Sequence, residues 1–416
     1  MRPLWKTVPI SELYEGLYDG PHATPKPSDA GPVFLGIKNV TDDGHLDLSD
    51  IRHIAEEDYS TWTRRVEPKP GDIVFTYEAT LNRYAVIPQG FRGCLGRRMA
   101  LIRTDPKKVD TGYLLYYFFA PAWREVIKKN MMTGATVDRI PLTTFPSFPV
   151  SLPPLPIQRR IAGILSAYDE LIENNQRRIK ILEQMARSLY REWFVNFRYP
   201  GHENVPLVPS PLGEIPQGWE VKAVADAFVI SGGGTPSRKE ADFWDGGTIQ
   251  WYSPSDLTGA GTMFMDDSSD HITERGLAQS SARMFPAHSV MLTSRATIGA
   301  IAINTQPACT NQGFITCLPN DRVPLYFLFH WLTENVPTFQ RMASGATFKE
   351  ISRGVFKTIE FLEPPSQIVE RFEAIAVPMA EQVLALQRQI LNLRRTRDLL
   401  LPRLLSGQID VEALPS

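Results

Sequence analysis

In two stretches of the chain, apolar positions recur with alternating steps of four and three residues. The first passes through Ile161, Leu165, Tyr168, Ile172, Asn175, Ile179, Leu182, Ala186, Leu189 and Trp193. The second passes through Phe372, Ala376, Met379, Val383, Leu386, Ile390, Leu393, Arg397, Leu400 and Leu404, each 211 residues beyond its counterpart. A 3.5-residue apolar period held over about four heptads predicts a coiled-coil seam, in preference to two amphipathic helices each lying on its own domain. The shared phase and length predict that the two helices pack against each other, antiparallel. Asn175 and Arg397 break the seam, and a polar seam residue fixes register and partner choice at some cost in stability. Pro378 is expected to kink or interrupt the early part of the second helix, because proline removes a backbone donor and crowds the preceding turn.

Ahead of each long helix the pattern is mixed. Short β-rich runs, "GDIVFTY" (71–77) and "HSVMLTS" (288–294), alternate with Gly, Pro and Asp turns. One apolar, aromatic helix is expected in each stretch, at "GYLLYYFFAPAWREVIKK" (112–129) and "LYFLFHWLTENVPTFQRM" (325–342). These stretches are copies of each other. Trp5 matches Trp219, Thr24-Pro25 matches Thr235-Pro236, and "FLGIKNVT" (34–41) matches "WYSPSDLT" (251–258). Ala79-Thr80 matches Ala296-Thr297, and Cys94 falls near Cys309. "TGATVDRI" (133–140) aligns with "SGATFKEI" (344–351) without a gap. Each long helix then follows a Pro-Pro pair. The order is preserved throughout, so the chain is one unit written twice.

The expected fold is therefore α+β: two mixed α/β domains related by a pseudo-twofold axis and separated by two long helices in an antiparallel coiled coil. The expected boundaries are 1–150 for the first mixed domain and 151–198 for the central helix. A linker follows at 199–218, then the second mixed domain at 219–362 and the C-terminal helix at 363–416. The segment "YPGHENVPLVPSPLGEIPQGW" (199–219) is Pro-rich and aperiodic, and reads as an extended linker.

Composition narrows the classes of function. The formal net charge of −2 argues against bulk polyelectrolyte binding and leaves room for a local basic groove. The three cysteines, Cys94, Cys309 and Cys317, form no CxxC or Cys/His pair and read as reduced thiols of a cytoplasmic protein. No signal peptide or membrane-spanning run of roughly 20 apolar residues is evident.

Catalytic motifs are lacking. There is no GxGxxG after a strand, no HExxH and no GxSxG. "SGGGT" (231–235) lacks the Lys-Ser/Thr of a phosphate loop and reads as a turn. The pairs "LPPL" and "EPPS" lack the polar and aromatic residues of an amino-methyltransferase loop. No metal site is expected. The polar residues that stand out are of recognition type. In the first copy they are Lys38, Asn39, Tyr77, Asn82, Arg83, Arg97, Arg98, Thr136 and Arg139. In the second they are Ser253, Ser255, Asp256, Ser294, Arg295, Asn311, Gln312, Thr347 and Lys349. Arg, Asn and Gln can read base edges bidentately, whereas Lys, Ser and Thr more often hold phosphates. They recur at matched places with changed identities, as expected of two modules reading different short sequences.

The phrases "GATVDRIPLTTFPSFPVSLPPLPIQRRIAGIL", "ENNQRRIKILEQMARSLYREWF", "PLGEIPQGWEV" and "FLEPPSQIVERFEAIA" resemble those of specificity subunits of type I restriction–modification systems. The resemblance spans the whole chain. It implies two target recognition domains that read the halves of a split, asymmetric site on double-stranded DNA. It also implies a non-catalytic subunit whose coiled coil sets the spacing and docks two modification (methyltransferase) subunits, with restriction subunits joining in the endonuclease. By the same resemblance this chain needs no cofactor, and S-adenosylmethionine for adenine-N6 methylation belongs to the partner. "PPSQIVE" departs from the family's usual Glu-Gln after the prolines, with Gln367 shifted. The alternatives are a methyltransferase-fused enzyme of the same class and a coiled-coil scaffold that binds no nucleic acid.

Overall fold

The computed structural model describes residues 5–133, 137–345 and 348–413. Among them are five helices of nine residues or more: α1 Thr111–Phe119, α2 Pro121–Asn130, α3 Leu155–Tyr190, α4 Leu325–Met342 and α5 Ser366–Leu405. The chain divides into two compact units. Unit one holds Met1–Ile172 and Asn392–Ser416, and unit two holds Glu173–Leu391. Both passages between units fall inside a long helix, so α3 and α5 each give one stretch to each unit.

In unit one, four antiparallel strands lie in the order Tyr14–Asp19, Met99–Thr104, Ile73–Thr76, Tyr84–Val86. The run Ile73–Thr76 is buried throughout. Side chains alternate across a strand, so Ile73 and Phe75 join an aromatic core with Tyr84, Phe118, Trp123 and Phe145, while Val74 joins a second core with Leu35, Val40 and Leu95. A smaller sheet pairs Ser28–Leu35 with Arg52–His53 and, in parallel, with Gly93–Leu95, setting Phe34 opposite Cys94. The strand Lys6–Pro9 pairs with Pro149–Leu152, which ties the start of the mixed region to the entry of α3.

Unit two repeats this plan. Its larger sheet runs Val229–Gly232, Phe314–Leu318, Val290–Thr293, Ile301–Asn304, with Phe264–Met265 added in parallel at the edge. The smaller sheet places Trp251 opposite Cys309 in a parallel pair, the counterpart of Phe34 and Cys94. Glu220–Ala223 closes on Glu360–Glu363 just before α5. Burial pushes the Cys94 and Cys309 thiols up to about 12, so both stay protonated and inert.

Within each unit the long helices are antiparallel. In unit one Arg397 Nη1 donates to Asp169 Oδ1 at 2.5 Å, while Ile161 and Leu165 share a core with Leu404 and Leu405. In unit two Asn175 Nδ2 donates to Gln389 Oε1 at 3.3 Å, and the Tyr190 and Phe372 rings lie 5.8 Å apart. Of the seam positions, Ile161, Leu165, Ile172, Asn175, Phe372, Val383, Leu386 and Ile390 are buried. Ile179, Leu182, Leu189, Leu393 and Leu400 are half-buried.

Four local expectations change. The aromatic helix of the first copy is two helices, because Ala120 is extended (ψ 145°) and Pro121 opens α2. A residue before proline avoids the helical region, and proline suits the first helical position. Pro378 does not interrupt α5. It and Ala374, whose carbonyl it leaves without a donor, are exposed, so water can supply the missing bond. The segment expected as an extended linker is folded: Leu207–Ser210 and Gly213–Pro216 form a hairpin, and Tyr199, Ile215 and Trp219 are buried in the main core of unit two. Pro209 and Pro216 sit in a two-stranded ribbon with free edges, where a missing donor is tolerated. Lastly, Ser231 and Gly232 of "SGGGT" end a strand. A side chain on Gly233 would stand 2.1 Å from the Asn311 carbonyl oxygen, so close backbone approach calls for glycine there.

Candidate nucleic-acid interface

The phrase that repeats without a gap is tied in both units to the other aligned phrase, Ala-Thr. In unit one Ala79 N donates to Asp138 O (3.0 Å), Ile140 N to Tyr77 O (2.7 Å) and Tyr77 N to Arg98 O (3.2 Å). Met132 and Arg139 exchange a backbone pair at 2.9 and 3.1 Å. In unit two Ala296 N donates to Lys349 O (3.0 Å), Ile351 N to Ser294 O (3.0 Å) and Ser294 N to Gly313 O (2.8 Å). Ser344 and Glu350 exchange the matching pair at 3.0 and 2.8 Å. The same clasp of three loops is thus built twice, from backbone bonds that do not depend on side-chain identity.

Its backbone is strained at matched points. Ala79 has φ 69° and Ala296 has φ 61°, both in the left-handed region that residues with a Cβ avoid. Asn82 (φ 62°) and Arg98 (φ 70°) add two more in unit one, and Gly345 (φ 128°) supplies the second copy of the repeated phrase. Strain held in place by surrounding hydrogen bonds marks loops that present something.

The side chains fall into three groups. Arg97, Arg139, Ser255, Arg295, Gln312 and Lys349 are exposed. Arg295 lies 3.8 Å from Glu350, and Gln312 accepts from the Thr235 hydroxyl at 2.7 Å. A second group is partly engaged and, apart from the exposed Lys38, half-buried. Lys38 pairs with Asp50, Arg83 donates to Val40 O at 3.2 Å, and Arg98 Nε lies 3.1 Å from Glu78. Asn311 Oδ1 accepts from Gly313 N at 2.8 Å, and Asn82 Oδ1 lies 3.5 Å from the Tyr84 hydroxyl.

The third group serves the fold, which corrects the reading of those residues as surface recognition groups. Asn39 is buried, accepting from Gly36 N and donating to Asp47 O and Asp50 O. Ser253 and Asp256 form the capping box of the helix Pro254–Ala260. Burial works against the Asp256 carboxylate, but bonds from Ser269 and Ser253 outweigh it and hold the carboxyl below its ordinary range. Tyr77 and Ser294 are buried at the root of the clasp. These residues were singled out by type, and residue type does not distinguish a cap from a contact. Thr136 and Thr347 lie outside the described residues.

Sequence reasoning passed over Phe348 and Met132, large apolar side chains that are 58% and 49% exposed. They stand on the two copies of the clasp loop, beside Lys349 and near Arg139. The position of each next to the repeated GAT phrase was the available signal. It also passed over Arg238, whose guanidinium lies 3.5 Å from the Trp244 ring centroid. Among the described residues no group of three His, Cys, Asp or Glu could hold a metal ion, and no helix is long and apolar enough to cross a membrane.

Comparison with known proteins identifies the family. The chain is 26% identical over 375 residues to the type I restriction enzyme MjaIX specificity subunit of Methanocaldococcus jannaschii, covering 87% of this chain and 83% of that one. It is 26% identical to the HindI specificity subunit of Haemophilus influenzae, covering 91% and 94%. A type I restriction–modification S subunit from M. genitalium has a similar fold, with a TM-score of 0.59 at 16% identity over 96% of both chains. The type I restriction modification DNA specificity domain matches residues 47–184 and 216–387, once in each copy of the repeat and over most of the sequence; the chain belongs to that family.

Proposed function

We propose that each unit reads one half of a split, asymmetric site on double-stranded DNA through its clasp loops. Two modification (methyltransferase) subunits dock on α3 and α5, restriction subunits complete the endonuclease, and the whole works in the cytoplasm. The chain itself transfers no methyl group. S-adenosylmethionine and adenine-N6 chemistry belong to the partner. The observation that carries this reading is the doubled clasp, with one backbone framework, matched strained alanines and different exposed side chains in each copy. A framework held constant while its displayed groups vary is what two readers of different sequences need. Exposed Arg139 and Arg97 in one copy, and Arg295, Lys349 and Gln312 in the other, supply cations and bidentate groups against a net charge of −2.

The test exchanges residues 1–150 for the matching region of a relative with a different target and maps methylation across the genome of a strain carrying the operon. One half-site should change and the other should stay. A change in both half-sites would overturn the independence of the units. Binding of S-adenosylmethionine by the isolated chain would favour a fused methyltransferase. Absence of any gel shift with the partner present would favour a scaffold.

A further inference from the structure

Unit two contains a cavity of about 630 Å³ between α3, α4, α5 and the loop that precedes Phe264. Met263, Tyr326, Phe329 and Val383 give it apolar walls. Two polar groups in its lining have no partner among the described residues. His330 is only 4% exposed and its Nδ1 makes no hydrogen bond. Glu183 is half-buried, is in no ion pair or hydrogen bond, and is shifted upward by burial. A buried polar group left unpaired costs roughly 1–3 kcal/mol, so His330 Nδ1 calls for an explanation, and the half-buried Glu183 carboxylate lines the same cavity.

Unit one has a cavity of about 650 Å³ at the matching place, and charged groups line it. Tyr113, Leu114, Tyr117 and Phe118 of α1 correspond to Phe327, Leu328, Trp331 and Leu332 of α4, which matches Tyr116 to His330. The 211-residue offset of the long helices matches Asp169 to Ala380 and Arg397 to Ala186. In unit one the Tyr116 hydroxyl donates to Asp169 Oδ2 at 2.5 Å, and Arg397 donates to Asp169 Oδ1 at 2.5 Å. In unit two Ala186 and Ala380 both line the cavity, so two methyl groups stand where unit one has a guanidinium and a carboxylate, and the lining is more apolar.

We propose that this cavity binds an aromatic amine or amidine. The apolar walls would take a ring. The vacant polar groups are a carboxylate, which only accepts, and an imidazole with an acceptor to offer, so the ligand must present donors, and an amine or amidine adds a positive charge for the carboxylate. The cations nearby do not meet that need: Arg187 is engaged with Glu334 at 2.7 Å, and Lys180 is exposed to water. None of the named recognition residues lines the site. Because its walls come from α4 and both long helices, occupancy would brace α4 against them and raise the stability of the unit.

The test titrates the full chain with benzamidine, followed by calorimetry and by thermal unfolding, with benzamide and benzoate as neutral and anionic controls. Saturable binding in the order benzamidine, benzamide, benzoate is expected, with a rise in Tm. Glu183→Gln should weaken benzamidine by about tenfold, the loss of a charge-assisted bond. The double variant Ala186→Leu/Ala380→Leu fills the space and should abolish binding. If it fails to fold, Glu183→Gln, at a half-exposed position, carries the test alone. No saturable binding, a preference for benzoate, or affinity unchanged in Glu183→Gln would each overturn the proposal.

Discussion

Ala79 and Ala296 carry the same unusual conformation at the same point of two copies. A left-handed L-residue costs roughly 1–2 kcal/mol, and glycine gives back roughly 0.5–1 kcal/mol of that through its freer unfolded chain. Ala79→Gly should therefore leave stability within about 0.5 kcal/mol of the parent or above it, while Ala79→Val should cost about 1–3 kcal/mol. Urea unfolding checks both, and a large loss in the glycine variant would show that the loop is not strained. A different residue-scale balance holds at Asp169. It neutralises Arg397 where their side chains are 19% and 17% exposed, and it accepts from Tyr116. Asp169→Ala strands the Tyr116 hydroxyl and leaves Arg397 with the exposed Asp398 alone, and should cost about 1–3 kcal/mol. Adding Arg397→Leu should recover part of that loss, because a mostly buried guanidinium with only one exposed partner left costs more than an apolar pair. No recovery in the double variant would show that the network has a role beyond neutralisation.

At the scale of elements, α4 packs two buried titrating groups whose effects oppose. Glu373 accepts from Phe327 N in the first turn of α4 at 2.7 Å. Burial raises its carboxyl to about 7, against the lowering effect of the Phe327 and Tyr326 amides. Between pH 4.5 and 7 the folded chain keeps a proton that the unfolded chain has released, so this contribution to stability falls as pH rises. Burial, with Arg187 adding repulsion, depresses His330 to about 4. Between pH 6.5 and 4 the unfolded chain takes up a proton that the folded chain refuses, so this contribution falls as pH drops. From pH 4.5 to 6.5 the two nearly cancel. Glu373→Gln keeps the acceptor for Phe327 N and leaves the histidine unopposed. Relative to the parent, its stability should rise with pH across that window, by at most about 1.4 kcal/mol per pH unit. A flat difference between the two curves would mean that Glu373 is ionised in the folded state throughout.

The elements themselves were readable to different depths in the sequence. The long helices announce themselves through sustained period and matching phase, and the alanine-threonine phrases and the residues at 138–140 and 349–351 align because shared backbone bonds constrain them. The break at Pro121 was missed because an apolar aromatic run reads alike as one helix or two, and only the extended Ala120 decides it. The hairpin in 199–218 was missed because its packing depends on Tyr199, Ile215 and Trp219 meeting a core built by distant residues. Side-chain roles among the candidate recognition residues were least legible. Asn39 and Asp256 have the composition of contacts and the bonding of structural caps, a difference that lies in partners the linear sequence does not specify.

For the whole molecule, the chain passes between its units at Ile172/Glu173 and again at Leu391/Asn392, both times within a continuous helix. If the helices set the spacing between half-sites, that spacing is a count of residues and is independent of base contacts. Seven residues inserted at both points would lengthen each helix by about 10.5 Å and keep the heptad phase, so the seam residues on either side still meet their partners. An insertion in one helix alone would force the other to slip. With a rise of about 3.4 Å per base pair, the double insertion should widen the gap between half-sites by about three base pairs while both half-site sequences stay the same. Adding about three base pairs also turns one half-site by about a third of a helical turn around the DNA axis. Seven residues turn a straight α-helix by about 20° short of two full turns, and a coil absorbs that difference. The added DNA rotation must then be met by twisting of DNA or protein, so activity should drop even as the mapped spacer grows. Methylation mapping reports spacer and occupancy together. An unchanged spacer in an assembled, active double-insertion variant would mean that the helices only dock partners, and that the distance between half-sites is set by the methyltransferase subunits around them.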